Sequence, residues 1–209
     1  MTWRPSRIKV VYILATNTGG MMHYLAQLAN AVSKYADVVV IGPKEFPYEY
    51  FHSDIETVNV LDCQIGKRLK RLKSVLSFKN INVINKINPD IVHITMPKHP
   101  LIPLFLFLTR VHKKYPIVCT NHDPEPHIDK KPVELVGNLL HNYLVKFDKI
   151  IVHGKILKDV LITKGISDKK IAVIPHGAYS FFIKLNPENN IPTEKSSILF
   201  FGRIRKYKG

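Results

Sequence analysis

In this 209-residue chain, the densest group of side chains able to do acid–base chemistry is Thr120-Asn121-His122-Asp123-Pro124-Glu125-Pro126-His127. Imidazole titrates near neutral pH, so His122 is suited to donate a hydrogen bond to a substrate hydroxyl or to shuttle a proton. Asp123 beside it can orient the ring or accept a hydroxyl proton, and the prolines hold the loop in one shape. The same pattern also fits a histidine satisfied by backbone groups. His122, Asp123 and His127 are all metal-ligand types, but the sequence shows no further ligand cluster around them, and no metal is expected.

Two further stretches suit an anion. Gly19-Gly20 stands between an apolar run and a helical one. Glycines there let backbone N–H groups approach a phosphate or sugar, and the following helix N-terminus adds positive potential. A tight turn alone also requires glycine, and this is not the full dinucleotide-binding glycine pattern. Near the end, Gly202-Arg203-Ile204-Arg205-Lys206-Tyr207-Lys208-Gly209 follows another apolar run. Arg203 can bond a diphosphate bidentately and Lys208 can act as a point charge, although a basic terminus has the same composition. In Lys67 to Lys73, leucines at helical spacing alternate with cations. This is a solvated helix face or one that rests on anionic lipid.

These residues need a frame. Ile8 to Ala15, Asp37 to Ile41, Thr57 to Leu61, Asp90 to Thr95, Ile117 to Thr120, Lys149 to His153 and Lys170 to Ile174 read as strands. Between them, Met21, Leu25, Leu28, Ala29 and Val32 recur at helical spacing, and Gly66 to Lys86, Leu101 to Lys113, Val133 to Lys146 and Ile156 to Lys164 also read as helices. Strands that are apolar throughout, separated by helices, indicate an α/β fold with a doubly wound, mainly parallel, Rossmann-like sheet. Such sheets bind ligands at the carboxyl ends of their strands, where Gly19, Gly20 and His122 are all expected. Residues 1–184 are read as one domain and the polar stretch 185–197 as a linker. Residues 198–209 are read as the first strand and loop of a second domain, at which the chain is cut off.

Composition narrows the partners. Thirty-one Lys and Arg against 16 Asp and Glu give a formal charge of +15, which attracts anions. Two cysteines, Cys63 and Cys119, form neither a disulfide framework nor a metal motif and are read as inert buried thiols. The apolar runs are far short of the roughly 20 residues that span a bilayer, and no secretory signal is apparent. A cytoplasmic protein, peripheral at an anionic membrane face, is the expectation. The cation-rich helix interleaves leucines rather than aromatics, so nucleic acid is not expected as a partner.

Taken in order, the segments resemble family 4 glycosyltransferases of the GT-B fold. Thr18-Gly19-Gly20 is similar to that family's first glycine loop, Pro89-Asp90-Ile91-Val92-His93 to its "PDVVH" strand, and Thr120-Asn121-His122-Asp123 to its strand-end histidine motif. Asp148 to Gly154 with Ile174-Pro175-His176-Gly177 resembles "D-x-I-I-V-x-S … V-I-P-N-G", and Phe200-Phe201-Gly202-Arg203 through Lys208-Gly209 resembles "F-V-G-R … K-G". Two positions depart from the pattern: His176 stands where Asn is frequent, and Gly154 where Ser is usual.

The resemblance implies two Rossmann-like domains with the active site between them, and sugar transfer from a nucleotide-sugar, retaining and metal-independent, with no cofactor because the nucleotide-sugar is a substrate. It implies that Gly19 and Gly20 lie near donor phosphates and acceptor, and that His122 contacts the transferred sugar. Arg203 and Lys208 would hold the diphosphate. The acceptor stays open among glycan, lipid and small molecule. A pair of glutamates that the family carries further downstream lies beyond Gly209, so this stretch alone is expected to be inactive. Two other readings remain: a different GT-B or Rossmann-like sugar-nucleotide enzyme such as an epimerase, and a basic non-enzymatic module for membrane or nucleic acid.

Overall fold

The computed structural model describes residues 7–14, 16, 19–45, 47–61, 82–95, 106, 110–124, 144–179 and 182. Within these lie seven strands: β1 (Lys9–Ile13), β2 (Asp37–Pro43), β3 (Glu56–Leu61), β4 (Ile91–Ile94), β5 (Ile117–Thr120), β6 (Lys149–Val152) and β7 (Ile171–Val173). They form one sheet in the order β3-β2-β1-β4-β5-β6-β7, and every pairing is parallel. The expected doubly wound α/β architecture is therefore present. Strand addition runs outward from β1 to β3, then restarts on the other side of β1 with β4. The junction between β1 and β4 is the switch point at which such sheets open a crevice.

The sequence explains why the sheet is buried on both sides. Successive side chains alternate between faces, and in β1 both sets are apolar. Val11 and Ile13 join Val39, Ile41, Val92, Ile94, Ile117, Cys119, Ile150 and Val152 in one core. Val10, Tyr12 and Leu14 join Val38 and Val40 in the other. The second core is closed by α1 (Gly20–Val32), through Met22, Leu25, Ala26 and Ala29, at the three- and four-residue spacing seen in the sequence. The first is closed in part by α2 (Val83–Ile87), through Val83 and Ile84, by Val111 of α3 (Val111–Lys114), and by Leu161 of α4 (Lys155–Thr163). β3 pairs only with β2 and lies at the sheet edge. Its Thr57 to Val60 side chains are only partly buried, which is why its apolar pattern is the weakest.

Two aspartates of the family-like motifs turn out to be structural. Asp90 Oδ2 accepts from the Lys9 N–H at 2.8 Å, and the Asp90 N–H donates to the Lys9 carbonyl at 2.9 Å. Asp148 repeats the arrangement on Ile117, at 2.7 and 2.9 Å. Each carboxylate satisfies the first N–H of a strand at the amino-terminal edge, the end opposite the crevice.

Strand boundaries agree with the sequence reading to within two residues. β2 continues through Gly42-Pro43, where its register with β3 shifts. Pro43 is tolerated there because it ends the strand. The free thiol of Cys119 is fully buried, and burial pushes its pKa up, which makes it inert. Most of the expected helices at 66–86, 101–113 and 133–146 lie outside the described residues. So do Cys63, the linker 185–197 and strand 198–201.

Candidate functional site

Four consecutive strands each bring a histidine toward the crevice. His93 lies in β4, His122 two residues past β5, His153 directly after β6 and His176 three residues past β7. β5, β6 and β7 are hydrogen-bonded neighbours, and three of these rings lie close together, tilted 50–61° to one another. Ring centroids are 4.6 Å apart for His122 and His153, 4.8 Å for His153 and His176, and 6.0 Å for His122 and His176. Tyr24, one turn into α1, lies against all three at 4.5, 5.4 and 5.2 Å, edge-on to His122. Its hydroxyl pairs with Thr120 Oγ1 at 3.4 Å.

The hydrogen bonds fix the rings. His153 Nδ1–H donates to the Ile174 carbonyl at 2.9 Å, and His153 Nε2 stands 3.0 Å from His122 Nδ1. With both rings neutral, the hydrogen between them belongs to His122 Nδ1. His122 Nε2 then carries a bare lone pair, and this buried atom has no partner among the described residues. Burial, followed by the neighbouring His153 and His176, lowers the His122 pKa to about 4. His122 is thus a neutral base or acceptor at pH 7. His93 lies beneath it, with Nε2 2.9 Å from Thr120 Oγ1 and its ring 5.0 Å from that of Tyr12. Burial, with a smaller effect of His122, lowers its pKa to about 4 as well.

Two more buried polar atoms at this end lack partners among the described residues. They are Thr95 Oγ1, just past β4, and Asn121 Nδ2, just past β5. A donor and two groups able to accept thus lie unpaired among the described residues at the carboxyl ends of β4 and β5, and buried polar atoms of this kind call for a polar partner.

The glycine turn forms the opposite wall. Gly19 has φ +78° and ψ −172°, a conformation essentially restricted to glycine. Its carbonyl accepts from the Met22 and His23 N–H groups and so starts α1. Among the described residues no side chain caps α1, and its first turn holds no acidic residue to offset the positive end of the helix. A Cβ on Gly19 or Gly20 would meet no atom within 4 Å, so the turn faces open space. Tyr179 joins the two walls: its hydroxyl lies 3.5 Å from the Gly20 carbonyl and 3.2 Å from His176 Nε2. His23, Tyr50 and Phe182 extend an aromatic rim, with His23 4.8 Å from Phe182 and 5.5 Å from Tyr50.

The fold therefore brings Gly19, Gly20, His122 and the exposed Asp123 to one end of the sheet. Arg203, Lys208, His127 and the Lys67 to Lys73 run lie outside the described residues. Sequence reasoning singled out neither Tyr24 nor Tyr179, missed His153, and noted His176 only as a departure from a motif. A signal was present: His122, His153 and His176 each follow an apolar run by one to three residues. In adjacent parallel strands, positions in register are neighbours, and the pairing of Thr120 with Ile151 sets His122 opposite His153.

The comparisons bear on this site through the fold. At the level of sequence, no curated protein matches the chain. Among solved structures it is similar to Anabaena Alr3699/HepE in complex with UDP and glucose. Identity is 17%, the TM-score 0.57, and coverage 88% of this chain and 50% of that one. It is similar to UDP-N-acetylglucosamine 2-epimerase from Rickettsia bellii, with 15% identity, TM-score 0.61 and coverage of 90% and 50%. It also resembles the apo form of the lipopolysaccharide outer core galactosyltransferase WaaB, with 16% identity, TM-score 0.53 and coverage of 80% and 45%. The chain spans about half the length of each of these structures. No helix among the described residues is long and apolar enough to cross a membrane. The family model for Glycosyltransferase Family 4 matches residues 18–178, a span that runs from the glycine turn to just past His176. On that match, over the sheet and crevice just described, the chain belongs to glycosyltransferase family 4.

Proposed function

We propose that the protein carrying this chain transfers a sugar from a nucleotide-sugar donor to an acceptor hydroxyl. The observation that carries this reading is the pairing, across one crevice, of a helix N-terminus at Gly19-Gly20 with buried polar groups at Thr95, Asn121 and His122 that are unpaired among the described residues. The first suits phosphate and the second suits sugar hydroxyls. Membership of the family supports the reaction. The solved relative holding UDP and glucose supports the ligand class.

In this reading the bond between the anomeric carbon and the diphosphate oxygen breaks, the acceptor oxygen bonds to that carbon, and the acceptor proton passes to the departing diphosphate. Configuration is retained and no cofactor enters the transfer. Neutral His122 hydrogen-bonds the transferred sugar, Asp123 lies within its loop, and Arg203 and Lys208 bind the diphosphate as charge builds on it. We place the protein in the cytoplasm, and its formal charge of +15 supports attraction to an anionic membrane face.

The test supplies the full protein with UDP-, GDP- and ADP-sugars labelled in the sugar, together with glycan, lipid and small-molecule acceptors. Label moving to an acceptor, with release of nucleoside diphosphate, is the expected result. Label that stays on the nucleotide with every donor, or sugar that is epimerised there, overturns the proposal.

A further inference from the structure

We propose that His122, His153 and His176 form a binding site for a zinc-class transition-metal ion at the carboxyl ends of β5, β6 and β7. Each ring offers a nitrogen, and these atoms all lie within 4.8 Å of one another. His122 Nδ1 and His153 Nε2 are already 3.0 Å apart. Two nitrogen ligands of a tetrahedral zinc, each at about 2.0–2.1 Å, stand roughly 3.3–3.4 Å apart. An ion therefore takes the place of the shared hydrogen: the His122 proton moves from Nδ1 to Nε2, so the ring stays neutral and presents Nδ1 to the metal.

The groups behind the rings point the same way. Metal-bound imidazoles usually donate their second N–H to a carbonyl or carboxylate, which fixes the tautomer and aims the lone pair. His153 Nδ1–H donates to the Ile174 carbonyl at 2.9 Å, and His176 Nδ1–H donates to the Gly177 carbonyl at 2.9 Å. Both rings therefore present Nε2 as the ligand atom. His176 is the exposed member, and its Nε2 exchanges the Tyr179 hydroxyl for the ion to close the set. His122 and His153 are partly buried and held by their strands. Three histidines leave a fourth position for water or a substrate oxygen.

The site belongs to side chains that the sheet places together, so it does not rest on sugar transfer and is tested without substrate. Chelator-treated full chain is titrated with Zn(II) by calorimetry and with Co(II) by visible absorption. The expected result is one Zn(II) per chain and a cobalt spectrum of low coordination number. His153→Ser and His176→Asn should each weaken binding at least about tenfold, while His112→Gln, which precedes β5 at the opposite sheet end, leaves it unchanged. Circular dichroism of each variant separates loss of ligand from loss of fold. His176 is exposed, so its variant keeps the test decisive if His153→Ser misfolds. Absence of stoichiometric uptake, or uptake indifferent to a folded His176→Asn chain, overturns the proposal.

Discussion

The 3.0 Å contact between His153 Nε2 and His122 Nδ1 decides where the protons of both rings sit. His153 gives its only neutral-state N–H to the Ile174 carbonyl, so its Nε2 can only accept. His122 must then carry its hydrogen on Nδ1, leaving the buried Nε2 as a lone pair. Long-range ¹⁵N–¹H spectra at pH 7.5, in metal-free buffer, should show His122 as the Nδ1–H tautomer. His153→Phe should remove that preference and destabilise the fold by about 1–3 kcal/mol, the cost of a buried donor left unpaired. An Nε2–H tautomer in the unmodified chain would contradict the arrangement.

Two histidines held at about 4 make the fold acid-sensitive. A folded-state value below the unfolded one, about 6.5, means the unfolded chain binds protons more readily. Stability is then complete above about pH 6.5 and is lost as pH falls from there toward 4. For the buried His93 the loss is on the order of 3 kcal/mol. The partly solvated His122 adds less. Urea unfolding at pH 7 and pH 5 should show roughly half of this loss, since it is complete only below about pH 4, and His93→Gln should reduce the difference. An identical pH dependence in that variant would remove His93 as its source.

The two adjacent glycines should respond differently to alanine. Gly19 has φ +78°, so Gly19→Ala should cost about 1–3 kcal/mol through backbone strain alone, since nothing crowds its Cβ position. Gly20 opens the helix with ordinary geometry and open space around it, so Gly20→Ala should be neutral or slightly stabilising. Equal losses in denaturant titrations would mean that the turn does not depend on the conformation of Gly19.

Asp148 should matter for stability rather than for ligands. Asp148→Ala leaves the Ile117 N–H without its carboxylate and should cost about 1–3 kcal/mol. Ligand affinity of the folded fraction should be unchanged, because the carboxylate lies at the amino-terminal edge. A variant with full stability and weakened nucleotide-sugar binding would reverse that assignment.

Within the loop after β5, His122→Ala in the full protein should lower turnover roughly 10²- to 10³-fold, with a far smaller effect on donor binding. His127→Ala should do much less. Steady-state kinetics with near-normal turnover for the first variant and a large loss for the second would assign the role to the wrong histidine.

The sequence by itself determined the sheet. Runs such as Val10 to Leu14 and Val38 to Ile41 are apolar at every position, and only a strand covered on both faces buries both alternating sets. It also located Gly19-Gly20 and His122 at strand ends, because turn glycines and the switch from apolar run to polar loop are local signals. Gly19 indeed adopts the positive φ that its residue type permits. What only the tertiary structure decided is the company His122 keeps. His153 and His176 lie 31 and 54 positions away along the chain, and their identity carries no information about each other until β6 and β7 pair beside β5. The pairing of Thr120 with Ile151 puts His122 level with His153, the segment past β7 adds His176 and Tyr179, and the packing of α1 on the sheet adds Tyr24. Side-chain chemistry is written locally, but the lowered pKa of His122, its tautomer and its neighbours are properties of distance, and distance across the sheet is set by strand order and register.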